Sequence, residues 1–311
     1  MADLALPAGF AATIGRVFGD VGRAWLQRLP GLVVACRQRW SLRACEPSPH
    51  MSLNYLELAE TADGRPVALK VGVPHAELFT EMTAPRAFAG RGAVELTDAD
   101  AELGALLLAR LRPGTMLHEL GDDERATDIA AEVMKTLAGP AEPGLDLPRF
   151  GDWLSRALRL TREAWDPTGQ MPRDLLDSAE AAYDALSAGA PDMLLHGDLH
   201  HENMLHDEQV GWLAIDPKGA VGPAVMEVGR YLHNQLPPVG WQPVIARRVE
   251  QFAAVLGHAA TDIAAAGLVD GVLSLCWCFE DESLPADWEQ ALEVRRYLAA
   301  LSASTPGSRL P

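Results

Sequence analysis

The stretch "HGDLHHENML" sets Asp198 and Asn203 five residues apart, directly after the apolar run Met193-Leu194-Leu195. Thirteen residues beyond Asn203, Asp216 closes a second apolar run, "WLAID". The segment between reads as a hairpin turning at Asp207-Glu208-Gln209. A loop that enters a hairpin and an aspartate that leaves it lie close together, so Asp198, Asn203 and Asp216 are expected to cluster. Two oxygen donors, Asn203 and Asp216, suit Mg²⁺, a hard cation that takes few protein ligands and keeps phosphate oxygens and waters. Asp198 is then placed to accept a proton from a substrate hydroxyl.

Upstream, "VALK" puts Lys70 on a strand. Its ammonium reaches phosphate oxygens if a carboxylate holds it. Glu81, on the following helix, is the expected partner, and Glu77 one turn earlier is the alternative. A strand lysine, a helix glutamate, H-x-D-x-x-x-x-N and then a metal-binding aspartate form, in that order, the parts of a protein kinase. Taken singly each has a bland reading. Lys70 is a strand-edge lysine, Glu81 a solvated helix residue, and Asp216 a strand-end turn before Pro217. The conjunction in order is what argues for chemistry. His196, His200, His201 and His206 lack helical i, i+4 pairing and a supporting cysteine pair, which argues against zinc. His196 is expected to support the loop through backbone hydrogen bonds. His200 and His201 are expected to pack the loop, with His201 the candidate to touch an acceptor.

These residues need elements to position them. The first thirty residues read as a helical preamble ending at Pro30-Gly31. Residues 31–111 read as a small lobe of antiparallel sheet plus helix. The strands are "MSLNYLELAE" and "PVALKVGV", with a tight turn at "ADG", then "GAVELTDADAE" and "GALLLARL". "HAELFTEMTAPRAF" is the helix between the two pairs. Residues 112–311 read as a larger, mainly helical lobe. In "DDERATDIAAEVMKTLAG" the residues Ala126, Ile129, Val133 and Leu137 recur at helical spacing, after opening aspartates and before Gly139. The expected class is α+β, a two-lobed kinase-like fold.

Composition narrows the function. The chain has 311 residues, 48% hydrophobic and 22% charged, as soluble globular proteins do. The net charge of −17 repels phosphate backbones and disfavours nucleic acid, while it attracts a cationic small molecule. No basic segment followed by an apolar core opens the chain, and His258, Asp262 and Asp270 interrupt its most apolar stretch. Neither a signal peptide nor a membrane span is expected. The four cysteines, Cys36, Cys45, Cys276 and Cys278, read as reduced thiols of a cytoplasmic protein.

With these residues identified, the chain resembles aminoglycoside phosphotransferase-type small-molecule kinases, and most of all their streptomycin 6-kinase and hydroxyurea phosphotransferase branch. "HMSLNYLELAETADGRPVALKVG", "GRGAVEL", "ALLLARLRPGTML", "HGDLHHENML", "WLAIDPKGAVG" and "CWCFEDE" carry the resemblance. It implies transfer of the γ-phosphate of ATP to a hydroxyl of a small molecule. It assigns Asp198 as base or orienting carboxylate, Asn203 and Asp216 to Mg²⁺, and Lys70 with Glu81 to the α- and β-phosphates. It places the adenine at the linker backbone around Ala109–Leu111. Two departures stand out. The turn "PSPHMSLN" has no glycine where protein kinases have a Gly-rich loop, so Ser52 and Asn54 are expected to offer hydrogen bonds in its place. The Gly222-Pro223-Ala224 segment lacks an aspartate common in the branch. Glu280, Asp281 and Glu282 form a candidate lip for a cationic acceptor, against the reading of a solvated acidic turn. The competing functions are a metabolic kinase for a sugar or amino alcohol and a nucleotide-binding regulator without turnover.

Overall fold

The computed structural model describes residues 4, 6–166 and 169–304. They divide into two compact units at Gly114/Thr115.

The first unit opens with helix α1 (Phe10–Arg39), followed by β1 (Arg43–Pro47), β2 (Tyr55–Glu60), β3 (Pro66–Val71), helix α2 (Ala76–Phe88), β4 (Leu96–Asp100) and β5 (Ala105–Ala109). The five strands form one antiparallel sheet in the order β1-β2-β3-β5-β4. Alternation sets the buried face: Tyr55, Glu57 and Ala59 of β2 point inward, and Leu56, Leu58 and Glu60 are only half-buried. The turn after β2 closes where Asp-Gly predicts it, with Gly64 at a φ of 85° and Thr61 N–H donating to Arg65 O.

The end of α1 differs from the sequence expectation. The helix does not stop at Pro30-Gly31 but runs on to Arg39. Proline removes one helical hydrogen bond, yet Leu29, Val33 and Cys36 continue the buried stripe across it at helical spacing. That stripe packs into one core with Tyr55, Val67, Leu69 and Val71 of the sheet. Arg37, in the last turn, then clamps the buried Glu57 carboxylate, which also accepts a 2.7 Å bond from Tyr55 Oη. The preamble is therefore part of the core of this unit.

Strand β6 (Pro113–Met116) spans the boundary. The second unit continues with α3 (Asp123–Leu137), α4 (Phe150–Leu160), α5 (Arg173–Ser187), β7 (Met193–Leu195), β8 (Met204–Asp207), β9 (Gly211–Ala214), β10 (Ala220–Gly222), α6 (Gly229–Leu232), α7 (Trp241–Leu256), α8 (Ala260–Glu280) and α9 (Trp288–Ser302). Asp122 caps α3 by accepting from Arg125 N–H at 3.1 Å. The β8–β9 hairpin turns at 207–210, where Asp207 Oδ1 accepts from Gln209 and Val210 N–H. Among the described residues α8 is the one helix long and apolar enough to cross a membrane. Here it is the core of the unit, buried along most of its length and packed on α4, α5, α6, α7 and α9. Its single mid-helix charge, Asp270, is buried as well.

Candidate active site

Two short strands and a hairpin hold the "HGDLHHEN" loop. Strand β7 delivers the chain to His196 and pairs with β10, with Leu195 opposite Ala220. Gly219 N–H donates to His196 O at 3.0 Å, and the His196 ring bonds Ile215 O through Nε2 at 2.8 Å. Ile215 N–H donates to Asn203 O at 2.9 Å. Residues 196–203 and 215–219 are thereby stitched side by side, and Asp216 follows directly on the residue bonded to Asn203. With Nε2 donating to a carbonyl, the other ring nitrogen of His196 accepts from Asp198 N–H at 3.3 Å. Burial lowers the pKa of this ring to about 4, so it works as a neutral brace.

The backbone at this site is bent. Gly197 sits at a φ of 78° with its Cα against the Trp153 ring, so a side chain there meets both strain and the indole. Asp216 itself has a φ of 56°, a strained conformation for a non-glycine residue that the surrounding ties maintain. The Asn203 amide donates through Nδ2 to Asp198 O at 2.9 Å, which leaves Oδ1 as its acceptor end. Together with the Asp216 carboxylate this is a pair of hard oxygen donors, the set a Mg²⁺ ion with phosphate and water ligands requires. Among the described residues no group of three or more His, Cys, Asp or Glu is arranged around a metal position.

Asp198 is the partly exposed end of a charged cluster. Its carboxylate lies 3.2 Å from Arg230 Nε and 3.8 Å from Lys218 Nζ. Burial alone pushes its pKa up, but Lys218 and Arg230 outweigh that and hold it below the usual carboxylate value. Arg230, on α6, is anchored behind by Ser274 Oγ at 3.0 Å and lies 3.4 Å from Asp270 Oδ2. Asp270 in turn accepts from His233 Nε2 at 2.8 Å. Burial raises the Asp270 pKa, and Arg230 and His233 more than reverse this, to about 2. Trp277, one turn of α8 beyond Ser274, lies 4.8 Å from Lys218 Nζ and 5.7 Å from the Arg230 guanidinium, measured to its ring centre. Trp153 packs edge-on against the same indole at 5.9 Å.

Sequence reasoning missed the residue that supports this loop. The segment Gly222-Pro223-Ala224 lacks an aspartate, but Glu227 supplies the carboxylate. Its Oε2 accepts from His196 N–H at 2.7 Å and its Oε1 from Gly197 N–H at 3.3 Å. Burial pushes its pKa up to about 7. The signal was present, since Glu227 is the one charge in the apolar run "AVMEV". Asp270 in α8 gives the same signal, and its partners Arg230 and His233 lie too far off in sequence to be paired by eye.

His201, the candidate to touch an acceptor, is deeply packed. It is 3% exposed, bonds Asn234 Oδ1 through Nδ1 at 2.6 Å, and stacks on Tyr231 with ring centres 3.9 Å apart. Its other nitrogen lies 3.4 Å from Arg248 Nη2. Arg248 is fully buried, paired with Asp123 and donating to Tyr231, Leu232 and Asn234 carbonyls. Both nitrogens and one face of the ring are thus engaged within the protein. At the end of α8, Glu280 is bound to Arg156 of α4 at 2.8 Å, so that carboxylate is already engaged. Asp281 and Glu282 follow in an exposed turn.

In the first unit, Lys70 Nζ lies 2.6 Å from Glu81 Oε2, and the lysine is 4% exposed. The side chain of Glu77, the alternative partner, lies outside the described residues. Ser52 is exposed in the bend before β2. Asn54 Oδ1 rests against the Gly72 backbone just past β3, where a Cβ on Gly72 would collide with it. Ala109 ends β5 with its N–H given to Glu95 O, and Leu111 follows in the half-buried linker.

A strand lysine paired with a helix glutamate in one unit, and H-x-D-x-x-x-x-N with a hairpin-end aspartate in a second, helical unit, define a protein-kinase-like fold. The chain belongs to the aminoglycoside/hydroxyurea antibiotic resistance kinase family, whose pattern matches residues 39–281. It is 32% identical to a streptomycin 6-kinase of Streptomyces glaucescens, over 91% of this chain and 93% of that one. It is 35% identical to a hydroxyurea phosphotransferase of Kitasatospora aureofaciens, over 76% and 71%. Among solved structures, a thermostable aminoglycoside phosphotransferase in complex with ADP and hygromycin B superposes with a TM-score of 0.61 at 16% identity, covering 88% of this chain and 99% of that one.

Proposed function

We propose that this kinase transfers the γ-phosphate of ATP to a hydroxyl of a small antibiotic, of the streptomycin or hydroxyurea type. The observation that carries the reading is the stitched loop, in which Asp198, Asn203 and Asp216 share one braced backbone frame. Asp198 takes the hydroxyl proton as the oxygen attacks phosphorus, a service worth about 10²–10⁴-fold in rate. Asn203 Oδ1 and the Asp216 carboxylate hold Mg²⁺, which neutralises phosphate charge when bound. Lys70, fixed by Glu81, steadies the α- and β-phosphates. Ser52 and Asn54 donate to phosphate oxygens, and the backbone of Ala109–Leu111 meets the adenine.

The acidic composition supports a cationic acceptor such as an aminoglycoside. Glu280, Asp281 and Glu282 form the candidate lip for it, with Glu280 also paired to Arg156. All four cysteines are unpaired thiols, in keeping with work in the cytoplasm.

The test is an acceptor panel that includes streptomycin, hydroxyurea, sugars and amino alcohols, with Mg-ATP and mass detection of product. A phosphorylated antibiotic is the expected result. Product from a sugar or amino alcohol alone would make the enzyme a metabolic kinase. A melting shift with Mg-ATP and no product from any acceptor would make it a regulator.

A further inference from the structure

Lys218 has no part in the chemistry assigned so far, and its placement is specific. It lies two residues after Asp216, on a short segment fixed by Pro217 on one side and on the other by Gly219, which is bonded to His196 O. Its ammonium lies 3.8 Å from Asp198 Oδ2, beyond hydrogen-bond length, and 4.8 Å from the centre of the Trp277 ring. Arg230 already compensates Asp198 from behind and is itself anchored by Ser274 and Asp270. Lys218 is a second cation on the same carboxylate, half-buried, loosely held, and carried on a flexible four-carbon stem.

A permanent pair with Asp198 would oppose catalysis, because it weakens the carboxylate as a proton acceptor. The acceptor hydroxyl has to come within about 2.6–3.2 Å of Asp198, and the transferring phosphorus within about 3–3.5 Å of that hydroxyl oxygen. The equatorial phosphoryl oxygens, on which charge is spread in the transition state, then fall within the sweep of the Lys218 side chain. The indole of Trp277 favours the ammonium and limits its loss to solvent.

We propose that Lys218 is a catalytic residue that leaves Asp198 for the γ-phosphoryl group when ATP is bound. The proposal rests on the phosphotransfer reading above and adds the group that follows the moving charge. In the step, the acceptor O–H proton passes to Asp198, a new O–P bond forms, and the bond from phosphorus to the β-phosphate bridging oxygen breaks with its electron pair on ADP. Lys218 keeps its own protons and charge throughout, bonding the three transferring oxygens in turn.

The test needs no acceptor. The affinities of the full chain for Mg-AMP-PNP and Mg-ADP are measured by calorimetry in wild type, Lys218→Met and Lys218→Arg. The Met variant is expected to lose about ten- to hundredfold in AMP-PNP affinity, the measure of one charge-assisted hydrogen bond. Its ADP affinity should stay at the wild-type value, which also shows that the variant is folded. The Arg variant should keep most of the preference for the triphosphate. An unchanged ratio of AMP-PNP to ADP affinity in Lys218→Met would overturn the proposal while leaving the kinase reading intact. Wild-type protein that binds neither nucleotide would overturn both. If the Met variant binds neither nucleotide, Lys218→Gln takes its place and the same ratio decides.

Discussion

The second unit contains two clusters with the same ingredients: an aspartate, an arginine, a histidine and an aromatic ring. In one, Asp123 binds Arg248 and Arg247, His201 stacks on Tyr231, and Arg248 gives its remaining donors to three backbone carbonyls. In the other, Asp198 meets Arg230 and Lys218 at 3.2 and 3.8 Å, with Asp270, His233 and Trp277 behind. In the first cluster the arginine contacts on Asp123 are short, and Arg248 and His201 are enclosed. Burial pushes the Asp123 pKa up, and its His201 and arginine bonds drive it far below the ordinary carboxylate range. The second ends in a carboxylate whose cation contacts are long. Short, shared contacts make the first cluster a brace, while the longer contacts on Asp198 leave its carboxylate able to take another partner.

This contrast is broken most strongly at Arg248. Arg248→Met removes the buried guanidinium, leaves Asp123 with Arg247 as its remaining arginine, and takes a donor from three carbonyls. It should cost about 3–5 kcal/mol in denaturant unfolding. A loss below about 1 kcal/mol would mean that the cluster is not the brace described, since that is the range of an exposed pair.

Glu227 tests the support beneath the second cluster. Its pKa rises in the folded chain from 4.5 to about 7. Below about pH 4.5 the group is protonated in both folded and unfolded chains, and its contribution to stability is fully present. As pH rises the unfolded chain ionises first, so that contribution is lost by the time pH passes 7, to an extent of about 3 kcal/mol at 1.36 kcal/mol per pKa unit. His196 and His233 titrate with the opposite sign in part of this window, because burial lowers both to about 4. The readout is therefore the difference between wild type and Glu227→Gln, followed by urea unfolding from pH 4 to 8. Wild type should lose stability relative to the variant as pH rises. A difference that stays constant with pH would show that Glu227 ionises normally.

Glu81 sharpens the comparison from the first unit, where it pairs with the buried Lys70 at 2.6 Å. Glu81→Gln leaves Lys70 without that charge, and the Michaelis constant for ATP should rise about tenfold with a smaller change in kcat, on the scale of one charge-assisted bond. An unchanged Michaelis constant would remove Lys70 from the phosphate site.

Much of this was legible in the sequence. The β2–β3 hairpin, the Lys70 strand, the α2 glutamate and the β8–β9 hairpin all follow from alternation and turn chemistry. The expected nearness of residues 203 and 216 follows from a hairpin between them, and the bond from Ile215 to Asn203 reflects it. Local rules did not find the end of α1, because tertiary burial of Val33 and Cys36 outweighs the break signal at Pro30-Gly31. They also could not find that His201 is enclosed, since Asp123 and Arg248, which pack around it, are remote in sequence. Glu227 and Asp270 were visible only as charges out of place in apolar runs. What they hold depends on contacts between helices that no local spacing encodes.

The central claim is that the loosely paired carboxylate of Asp198, and not the tightly paired one of Asp123, takes the proton of the acceptor hydroxyl. The most direct measurement is the single-turnover rate of phosphoryl transfer from Mg-ATP to an acceptor identified in the panel, for wild type and Asp198→Asn, with ATP affinity measured on the same samples. The variant should bind ATP as wild type does and transfer about 10²–10⁴-fold more slowly. Transfer by Asp198→Asn at the wild-type rate would contradict the account.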